Sequence, residues 1–401
     1  MRHTGNTGNA IYNGTNGGIT ISGGKVEATL TADAYAVYSA GTGVLSIDWH
    51  NAEIIGKVHP EVEGDGTAAS PYLVTQGNMR YVFADLAGNY QLTENVDLTG
   101  TGNWAPIGQT GAASFTGTFD GDGYTIKGLT IEAASATQSY GMFGMISGTV
   151  KNLGLVDVNI NVDQAAGVSI VGGFAGQINT IGSVENCYVT GNISGNDSVG
   201  GIAGINNGTV TNSYANGNVS GNHQVGGIVG QNNIGTANVR NSYFIGNVIG
   251  NEYVGGIVGN NNNGTVTNCY TKGIVRGASS VGGIVGSGSG GAITNCVALN
   301  SSIERTSVSL TSFGRVRGST GGTFTNNHAL DTMTVAGEGV TGTSTDKNGA
   351  AVTATDAADV DWWTTAATGV GWIIHDEKTD ADETSPWWWD DAEKSPRLWF
   401  E

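Results

Sequence analysis

The stretch VGGIVGQNNIGTANVRNSYFIGNVIGNEYVGGIVG, residues 225–259, decides the fold because its opening string returns at its end. Strings of this form, V-G-G followed by an apolar residue, a small residue and Gly, begin at Val171, Val199, Val225, Val254 and Val281. Their spacings of 28, 26, 29 and 27 residues define an internal repeat. A repeat of this length is typical of solenoids, in which each unit packs on its neighbours.

A degenerate earlier copy begins at Ser139. A second string, typified by GTVTN at Gly208, follows each of these copies in register and recurs once more at Gly322. Seven copies of it predict seven stacked coils. The asparagines that end these copies are Asn152, Asn186, Asn212, Asn241, Asn268, Asn295 and Asn326. We expect them to form a buried ladder, in which each side-chain amide bonds the coils above and below.

Each repeat contains short runs that alternate apolar with polar residues, separated by Asn-Gly turns, and no run has the 3.6-residue period of a helix. The pattern predicts three short strands and three turns per coil. So small a unit cannot bury its own apolar face, so Val and Ile must stack between coils. The sequence therefore predicts an all-β parallel β-helix with coils of about 27 residues. Parallel crossovers favour the right-handed form.

Changes in pattern divide the chain into four parts. Residues 1–58 contain strand-like runs without the V-G-G string and predict separate N-terminal solenoid coils or a cap. Residues 59–138 predict the opening coils of the β-helix, and residues 139–330 form the repeat region. Seven of the nine tryptophans lie in the last part, residues 331–401. That part predicts a cap over the last coil, with a helix over residues 355–366 that begins at Thr355 as its N-cap.

Composition excludes several classes of protein. The chain has 401 residues, 67 of them glycine and only five proline, without the three-residue period of collagen. Its net charge of −18 is unfavourable for binding nucleic acid or anionic lipid. No segment is apolar for long enough to cross a membrane, and the polar first residues do not resemble a signal peptide. We therefore interpret the chain as part of a longer one.

The V-G-G strings, followed by N-C-Y or N-S-Y, resemble the GLUG motif repeats of bacterial surface adhesins and some secreted proteases. The resemblance covers residues 139–330. The preceding FTGTFDGDGYTIKGLTI at Phe115 and the final SPWWWDDAEKSPRLWFE are similar to segments that flank such repeats in surface proteins of gut Bacteroidota. The resemblance implies an extracellular, surface-attached β-helix that acts in cell adhesion. It implies no catalytic residue and no particular ligand.

The segments just before each V-G-G string differ from coil to coil, whereas the strings themselves recur. These tips escape the packing constraint and lie along one edge of a solenoid, where loops on a rigid scaffold commonly bind ligands. We predict that Asp197, His223, Glu252 and Tyr253 form a recognition edge. The alternative is a row of solvated turns.

Two further residue columns have both a binding and a structural interpretation. Tyr188, Tyr214, Tyr243 and Tyr270 recur at one repeat position; Tyr214 and Tyr243 would present flat rings to a sugar, or the column would simply be packed. The tryptophans at 387–389 would likewise form a sugar platform or lie buried in the cap.

Cys187, Cys269 and Cys296 share a repeat position with Ser213 and Ser242. The position therefore requires a small residue, and the thiols act there as small apolar groups. Cys269 and Cys296 would lie on adjacent coils, which leaves a disulfide as the alternative.

Metal and catalytic chemistry have little support in the sequence. Asp120 and Asp122 form a D-x-D pair that would contribute to a calcium site, or else an Asp-Gly turn, because further ligands are missing. No paired carboxylates recur along the rod, and of the basic residues only Arg315 and Arg317 form a close pair.

The sequence thus predicts a non-enzymatic surface adhesin without a cofactor, monomeric, that recognises glycans or proteins of a host or microbial surface. Two alternatives from other classes stay open: a polysaccharide-degrading β-helix enzyme, and a passive stalk.

Overall fold

The computed structural model of the chain describes residues 63–79, 83, 85–109, 113–133, 139–163, 167–306, 312–382 and 384–401, together with the backbone pairing of eight strands before residue 60. Most strands run parallel and pair with the equivalent strand of the next coil. The structure thus confirms the predicted parallel β-helix. Its handedness stays a prediction.

One coil passes through four sheets, and the prediction of three strands per coil is wrong. The chain runs through Ser198–Gly200 in sheet 1, Ala203–Asn206 in sheet 2, Thr209–Thr211 in sheet 3 and Tyr214–Ser220 in sheet 4. The V-G-G string makes the difference, because its two glycines turn the chain between sheets 1 and 2 within a run that reads as one strand.

Each sheet collects one strand from successive coils. The strands of sheet 1 are Ser139–Tyr140, Ile170–Gly172, Ser198–Gly200, His223–Gly226, Glu252–Gly255, Ser279–Gly282 and Phe313–Gly314. The strands of sheet 2 are Phe143–Ile146, Ala175–Ile178, Ala203–Asn206, Val229–Asn232, Val258–Asn261 and Val285–Ser287. The strands of sheet 3 are Tyr72–Val74, Tyr90–Leu92, Thr118–Asp120, Thr149–Lys151, Ser183–Glu185, Thr209–Thr211, Asn238–Arg240, Thr265–Thr267, Ala292–Thr294 and Thr323–Thr325. The strands of sheet 4 are Val96–Asp97, Thr125–Lys127, Thr130–Ala133, Gly154–Val162, Tyr188–Ser194, Tyr214–Ser220, Tyr243–Ile249, Tyr270–Gly277, Val297–Arg305, His328–Leu330, Thr334–Val335, Glu338–Gly339 and Ala350–Val352.

The eight strands before residue 60 pair with one another in three small sheets. One sheet contains Arg2–His3, Gly24–Ala28 and Ala52–Ile55, the second Ile11–Asn13, Tyr35–Ser39 and Lys57–His59, and the third Ile19–Ile21 and Leu45–Ile47. All of their pairings are parallel.

Equivalent apolar residues stack inside the coils. Val199, Val225, Val254 and Val281 pair in register and are fully buried. The second glycine of the V-G-G string is required because neighbouring coils approach too closely for a side chain. A Cβ atom added at Gly227 would lie 2.1 Å from the carbonyl oxygen of Gly256 in the next coil.

The predicted asparagine ladder is confirmed, but it is less buried than predicted: Asn186 and Asn212 are buried, and the other five asparagines are half-buried. Its asparagines adopt left-handed backbone angles, with φ between 47° and 53°, a conformation that asparagine tolerates better than most residues. Each side-chain amide donates to the side-chain oxygen of the preceding coil, as from Asn212 Nδ2 to Asn186 Oδ1 at 3.1 Å and from Asn241 Nδ2 to Asn212 Oδ1 at 3.1 Å. The same amides therefore tie the coils together and allow the tight turn between sheets 3 and 4.

The C-terminal segment, residues 353–401, contains two short helices, Ala354–Ala357 and Val360–Thr364, a 3-10 turn, Lys378–Asp380, and the strands Ile374–His375, Trp387–Asp390 and Ser395–Leu398. The helical region is where the sequence predicts it, but the helix is divided and the predicted N-cap, Thr355, is wrong. Thr353 caps the first helix by accepting from the backbone of Asp356, and Asp359 caps the second.

This segment, which we call the C-terminal strap, covers the outer side of sheet 4 rather than the end of the rod. Phe400 stacks on Tyr214 with ring centroids 6.2 Å apart, and Trp363 meets Tyr270 at 5.8 Å. The indole of Trp372 donates to the carbonyl oxygen of Asn295. The Trp-rich part of the predicted capping segment is therefore a lateral strap, whereas residues 344–350 of that segment hydrogen bond to the last coil, as from Val316 N–H to the carbonyl oxygen of Lys347.

Arg315 and Arg317 lie in the last coil, where a glycine and Val285 stand in the preceding one. Both are essentially buried and donate to backbone carbonyls, Arg315 to Gly349 and Arg317 to Gly288. Burial lowers the pKa of Arg317 to about 10. Arg317 thus stands where the preceding coil has the buried Val285, and the hydrogen bonds of both guanidinium groups give them a structural role.

Candidate functional site

The variable tips stack along the edge where each coil enters sheet 1. Asp197, His223 and Glu252 each lie two residues before the valine of a V-G-G string. The structure brings two of them together, since His223 Nδ1 lies 3.5 Å from Glu252 Oε2, with 37% and 44% of the side chains exposed. Asp197 is held by the preceding coil, because its carboxylate accepts from the backbone N–H of Ser169 at 3.3 Å.

On three successive coils the residue after the tip is held in an unusual backbone conformation. Gln224 and Tyr253 have φ of 49° and 56°, and Ser280 has φ of 55°. A left-handed angle costs free energy for a bulky residue such as Tyr253, so the surrounding coil must impose it. The half-buried Tyr253 ring therefore lies next to Glu252 in a fixed backbone rather than on a free loop.

This edge presents acceptors, an imidazole and an aromatic ring in a line along the rod. Such groups suit hydrogen bonding and stacking with a polar ligand, each contact weak and the scaffold rigid. Among the residues that the structure describes, no group of three or more His, Cys, Asp or Glu side chains is placed to hold a metal ion.

The tyrosine column is a stacked array, as the repeat predicts. Ring centroids are 5.0 Å apart between Tyr188 and Tyr214 and 4.8 Å apart for each later pair, up to Tyr270. Tyr243 and Tyr270 are fully buried under the C-terminal strap, and burial raises the pKa of both phenols. The Tyr243 hydroxyl donates to Glu401 Oε2 at 2.6 Å. A sugar therefore cannot reach Tyr243, and the prediction of glycan contact there is corrected; Tyr214 is half-buried beside Phe400.

Trp387 is also buried, and Trp389 nearly so, whereas Trp388 is half-exposed and donates to the carbonyl oxygen of Leu398. The row of three tryptophans therefore anchors the strap and does not form an open platform.

Asp120 and Asp122 have protein partners in a tight turn. Asp120 Oδ1 accepts from the backbone N–H of Asp122 and from Asn152 Nδ2, both at 3.0 Å, and Asp120 Oδ2 lies 3.1 Å from Lys151 Nζ. Asp122 Oδ2 accepts from Gln91 Nε2 at 3.1 Å. The geometry is that of the Asp-Gly turn. Asp120 has a role that the sequence did not reveal: it is the acceptor at which the asparagine ladder ends.

The thiols have no catalytic geometry. Cys187, Cys269 and Cys296 are free and fully buried, and burial raises the pKa of the Cys187 thiol. The thiolate needed for nucleophilic attack is therefore disfavoured. The alternative of a disulfide between Cys269 and Cys296 is not formed.

One contact between a nucleophile and a base was missed by sequence reasoning. His375 Nε2 lies 3.0 Å from Ser385 Oγ in the strap, which is within the range for a serine and its general base. Asp382 Oδ1, the nearby carboxylate, accepts from Thr384 and from the backbone N–H of Ser385 instead. No sequence motif marks this pair, because its members come from separate parts of the strap.

The comparisons with known proteins confirm the resemblance to GLUG repeats. The model of the GLUG motif matches residues 167–194, 221–249 and 250–276, each one coil of the solenoid. Halomucin of Haloquadratum walsbyi is 30% identical over 155 residues, which is 35% of this chain and 2% of Halomucin. The chain thus spans only a small part of that relative.

A solved structure with the same fold is a candidate immunoglobulin A1 protease from Bacteroides ovatus. It matches with a TM-score of 0.57 and 23% identity, covering 84% of this chain and 95% of the other. This likeness shows the fold alone. Within the part of the chain that the structure describes, no helix is both long and apolar enough to cross a membrane.

Proposed function

We propose that this chain of GLUG-motif repeats is an extracellular binding module that is not an enzyme. It would act as an adhesin that presents the tips of its coils to glycans or proteins of a host or microbial surface. The observation that carries the proposal is the row of variable, part-exposed polar side chains, Asp197, His223 and Glu252, on coils whose V-G-G strings recur.

Affinity in such a module comes from many contacts along a rigid rod. Each tip contributes little alone, but equivalent tips recur at every coil, roughly 4.8 Å apart as in any β-sheet. Several weak contacts to one extended ligand add their free energies without the entropy of ordering a loop. Repetition of coils thus supplies avidity, and variation of the tips supplies specificity.

A glycan microarray of mucin, host and plant polysaccharides, run with and without calcium, tests the proposal. We expect binding to one family of glycans, and a loss of at least tenfold in affinity when Asp197, His223 and Glu252 are all replaced by alanine. Glu185→Ala, on sheet 3, is the matched control and should bind as the parent chain does. An equal signal from the triple variant would refute the recognition edge.

If the array stays blank, pull-down from surface extracts with the parent chain and the triple variant decides between a protein ligand and a stalk. A protein retained by the parent and lost by the triple variant supports the adhesin. If neither the parent chain nor the triple variant retains a protein, the passive stalk is favoured.

A hydrolase is the second candidate function, and the contact between His375 and Ser385 favours it. A fluorophosphonate probe tests this directly, since it labels activated serines. Labelling that is lost in Ser385→Ala but kept in Ser395→Ala would make the chain a serine hydrolase. We expect no labelling, because a serine hydrolase needs a carboxylate that orients its histidine. The nearby carboxylate of Asp382 accepts from Thr384 and Ser385 instead of from His375.

A further inference from the structure

A second row of asparagines lies on the outer side of sheet 4. Asn159, Asn192, Asn218 and Asn247 pair in register on four successive coils, and the first three are exposed. Asn218 Nδ2 donates to Asn192 Oδ1 at 2.8 Å, and Asn247 Nδ2 donates to Asn218 Oδ1 at 3.1 Å. We call these four residues the exposed amide row.

The fold does not require asparagine at these positions. The asparagine ladder occupies a left-handed turn that suits asparagine. The exposed amide row lies instead within strands, where asparagine is disfavoured. The next two coils carry Ile274 and Ser302 in register, and sheet 4 continues through both. A row that goes against local preference without filling the core is the pattern expected of a functional surface.

The exposed row is rich in hydrogen-bonding groups. Each amide has two N–H donors and an oxygen with two lone pairs, and the contacts along the row use one donor and one lone pair. The neighbouring column continues this chemistry with Asn161, Ser194 and Ser220, of which Ser194 Oγ donates to Asn161 Oδ1 at 2.8 Å. Donors and acceptors thus repeat on the four successive coils that carry the row.

The charge distribution favours an uncharged ligand. Residues 139–330 hold seven basic and six acidic side chains, which leaves nine basic and 28 acidic ones for the rest of the chain. No aspartate or glutamate lies between Asp197 and Glu252. The amide row therefore crosses a nearly neutral part of a strongly acidic protein, and the acidic flanks repel anionic polymers at long range.

We propose that the exposed amide row binds a neutral polysaccharide chain that runs along the axis of the solenoid. Hydroxyl groups of such a chain both donate and accept, as the amides do, and a linear polymer meets the same chemistry at every coil. Single contacts are weak, and their number gives the affinity. This surface belongs to sheet 4, so the inference does not depend on the tips that precede sheet 1.

Affinity electrophoresis in native gels tests the inference, since the net charge of −18 drives the chain through the gel. The probes are hydroxyethyl cellulose, laminarin and dextran as neutral polymers, and polygalacturonate and heparin as anionic ones. We expect retardation by at least one neutral polymer and by neither anionic one. Replacing Asn192, Asn218 and Asn247 together by threonine should weaken that retardation at least tenfold.

Threonine is chosen because it separates a binding role from a structural one. It prefers strands more than asparagine does, so the triple variant should melt at the same or a higher temperature than the parent. Thr267→Ala, on the outer side of sheet 3, is the control and should leave retardation unchanged.

Three outcomes would overturn the inference: retardation by no neutral polymer, stronger retardation by an anionic one, or equal retardation of parent and triple variant. Equal retardation with a lower melting temperature would identify the row as a structural ladder only. The variant lacking the tip side chains Asp197, His223 and Glu252 should still be retarded, which keeps this test distinct from that of the recognition edge.

Discussion

Replacing Asn241 by alanine tests the asparagine ladder, because this side chain both donates and accepts within it. Asn241 Nδ2 donates to Asn212 Oδ1, and Asn241 Oδ1 accepts from Asn268 Nδ2, each at 3.1 Å. Alanine removes both hydrogen bonds, at about 1 kcal/mol each. Alanine, which has a Cβ atom but no polar side chain, must also adopt the left-handed φ of 47°, and this backbone strain costs about 1–2 kcal/mol. We expect a loss of about 3–4 kcal/mol in the free energy of unfolding.

Asn241→Gly separates the two causes. Glycine loses the same hydrogen bonds but adopts a left-handed angle without strain, so it should cost about 1 kcal/mol less than alanine. Asn216→Ala is the control, because Asn216 is exposed within a strand, and its loss should change the free energy by less than about 0.5 kcal/mol.

The assay is equilibrium unfolding in guanidinium chloride, followed by far-ultraviolet circular dichroism for the coils and by tryptophan fluorescence for the strap, where seven of nine tryptophans lie. Coincident transitions are needed before a single free energy is assigned. A glycine variant as unstable as the alanine variant would refute the backbone argument. Losses below about 1 kcal/mol in both would refute the ladder as a source of stability.

Three further predictions concern packing, the end of the ladder and acid. Gly227→Ala should cost about 3 kcal/mol or more in unfolding free energy by overpacking, whereas Gly235→Ala, whose added Cβ would have no atom closer than 3.9 Å, should be near neutral. Asp120→Asn should cost about 1–2 kcal/mol by weakening the charge-assisted bond from Asn152, and calorimetry with calcium should show no heat for either chain. Burial lowers the pKa of His328 below 6.5, so the unfolded chain binds the proton more tightly and stability should fall as pH drops below about 6.5, by up to about 1.4 kcal/mol per pH unit. His328→Phe should remove that part of the pH dependence in melting curves recorded between pH 5 and pH 8.

The repeat region could be predicted because its structure follows from local rules applied coil after coil. Identical spacing places Val225 on Val254 and Asn212 on Asn241, so one register explains the whole ladder. What failed was the number of strands in a coil. The V-G-G string reads as part of one strand, and only the close approach of Gly227 to the next coil shows why the chain bends there.

The site was less accessible to sequence reasoning because contacts between distant parts of the chain decide which columns stay exposed. Nothing near Tyr243 in the sequence indicates that Glu401 accepts from its hydroxyl or that Arg397 donates to it at 3.0 Å. The part-exposed position of the tip residues could be predicted because they vary where the V-G-G strings do not, and their role in binding stays a prediction. The contact between His375 and Ser385 could not, because two turns of irregular chain bring it together.

The strands of sheet 4 show how one coil can contribute to stability and also present polar side chains at the surface. The four strands that begin at Tyr188, Tyr214, Tyr243 and Tyr270 each have a glycine near the middle, and Gly217 and Gly246 have φ of 144° and 139°. Before this glycine the outward residue is a tyrosine, such as Tyr214, which packs against Phe400 of the strap. After it the outward residue is an exposed asparagine, such as Asn218. An apolar strap covers the first half and adds the stability that short coils lack, so the second half is free to carry polar groups that contribute little to the core.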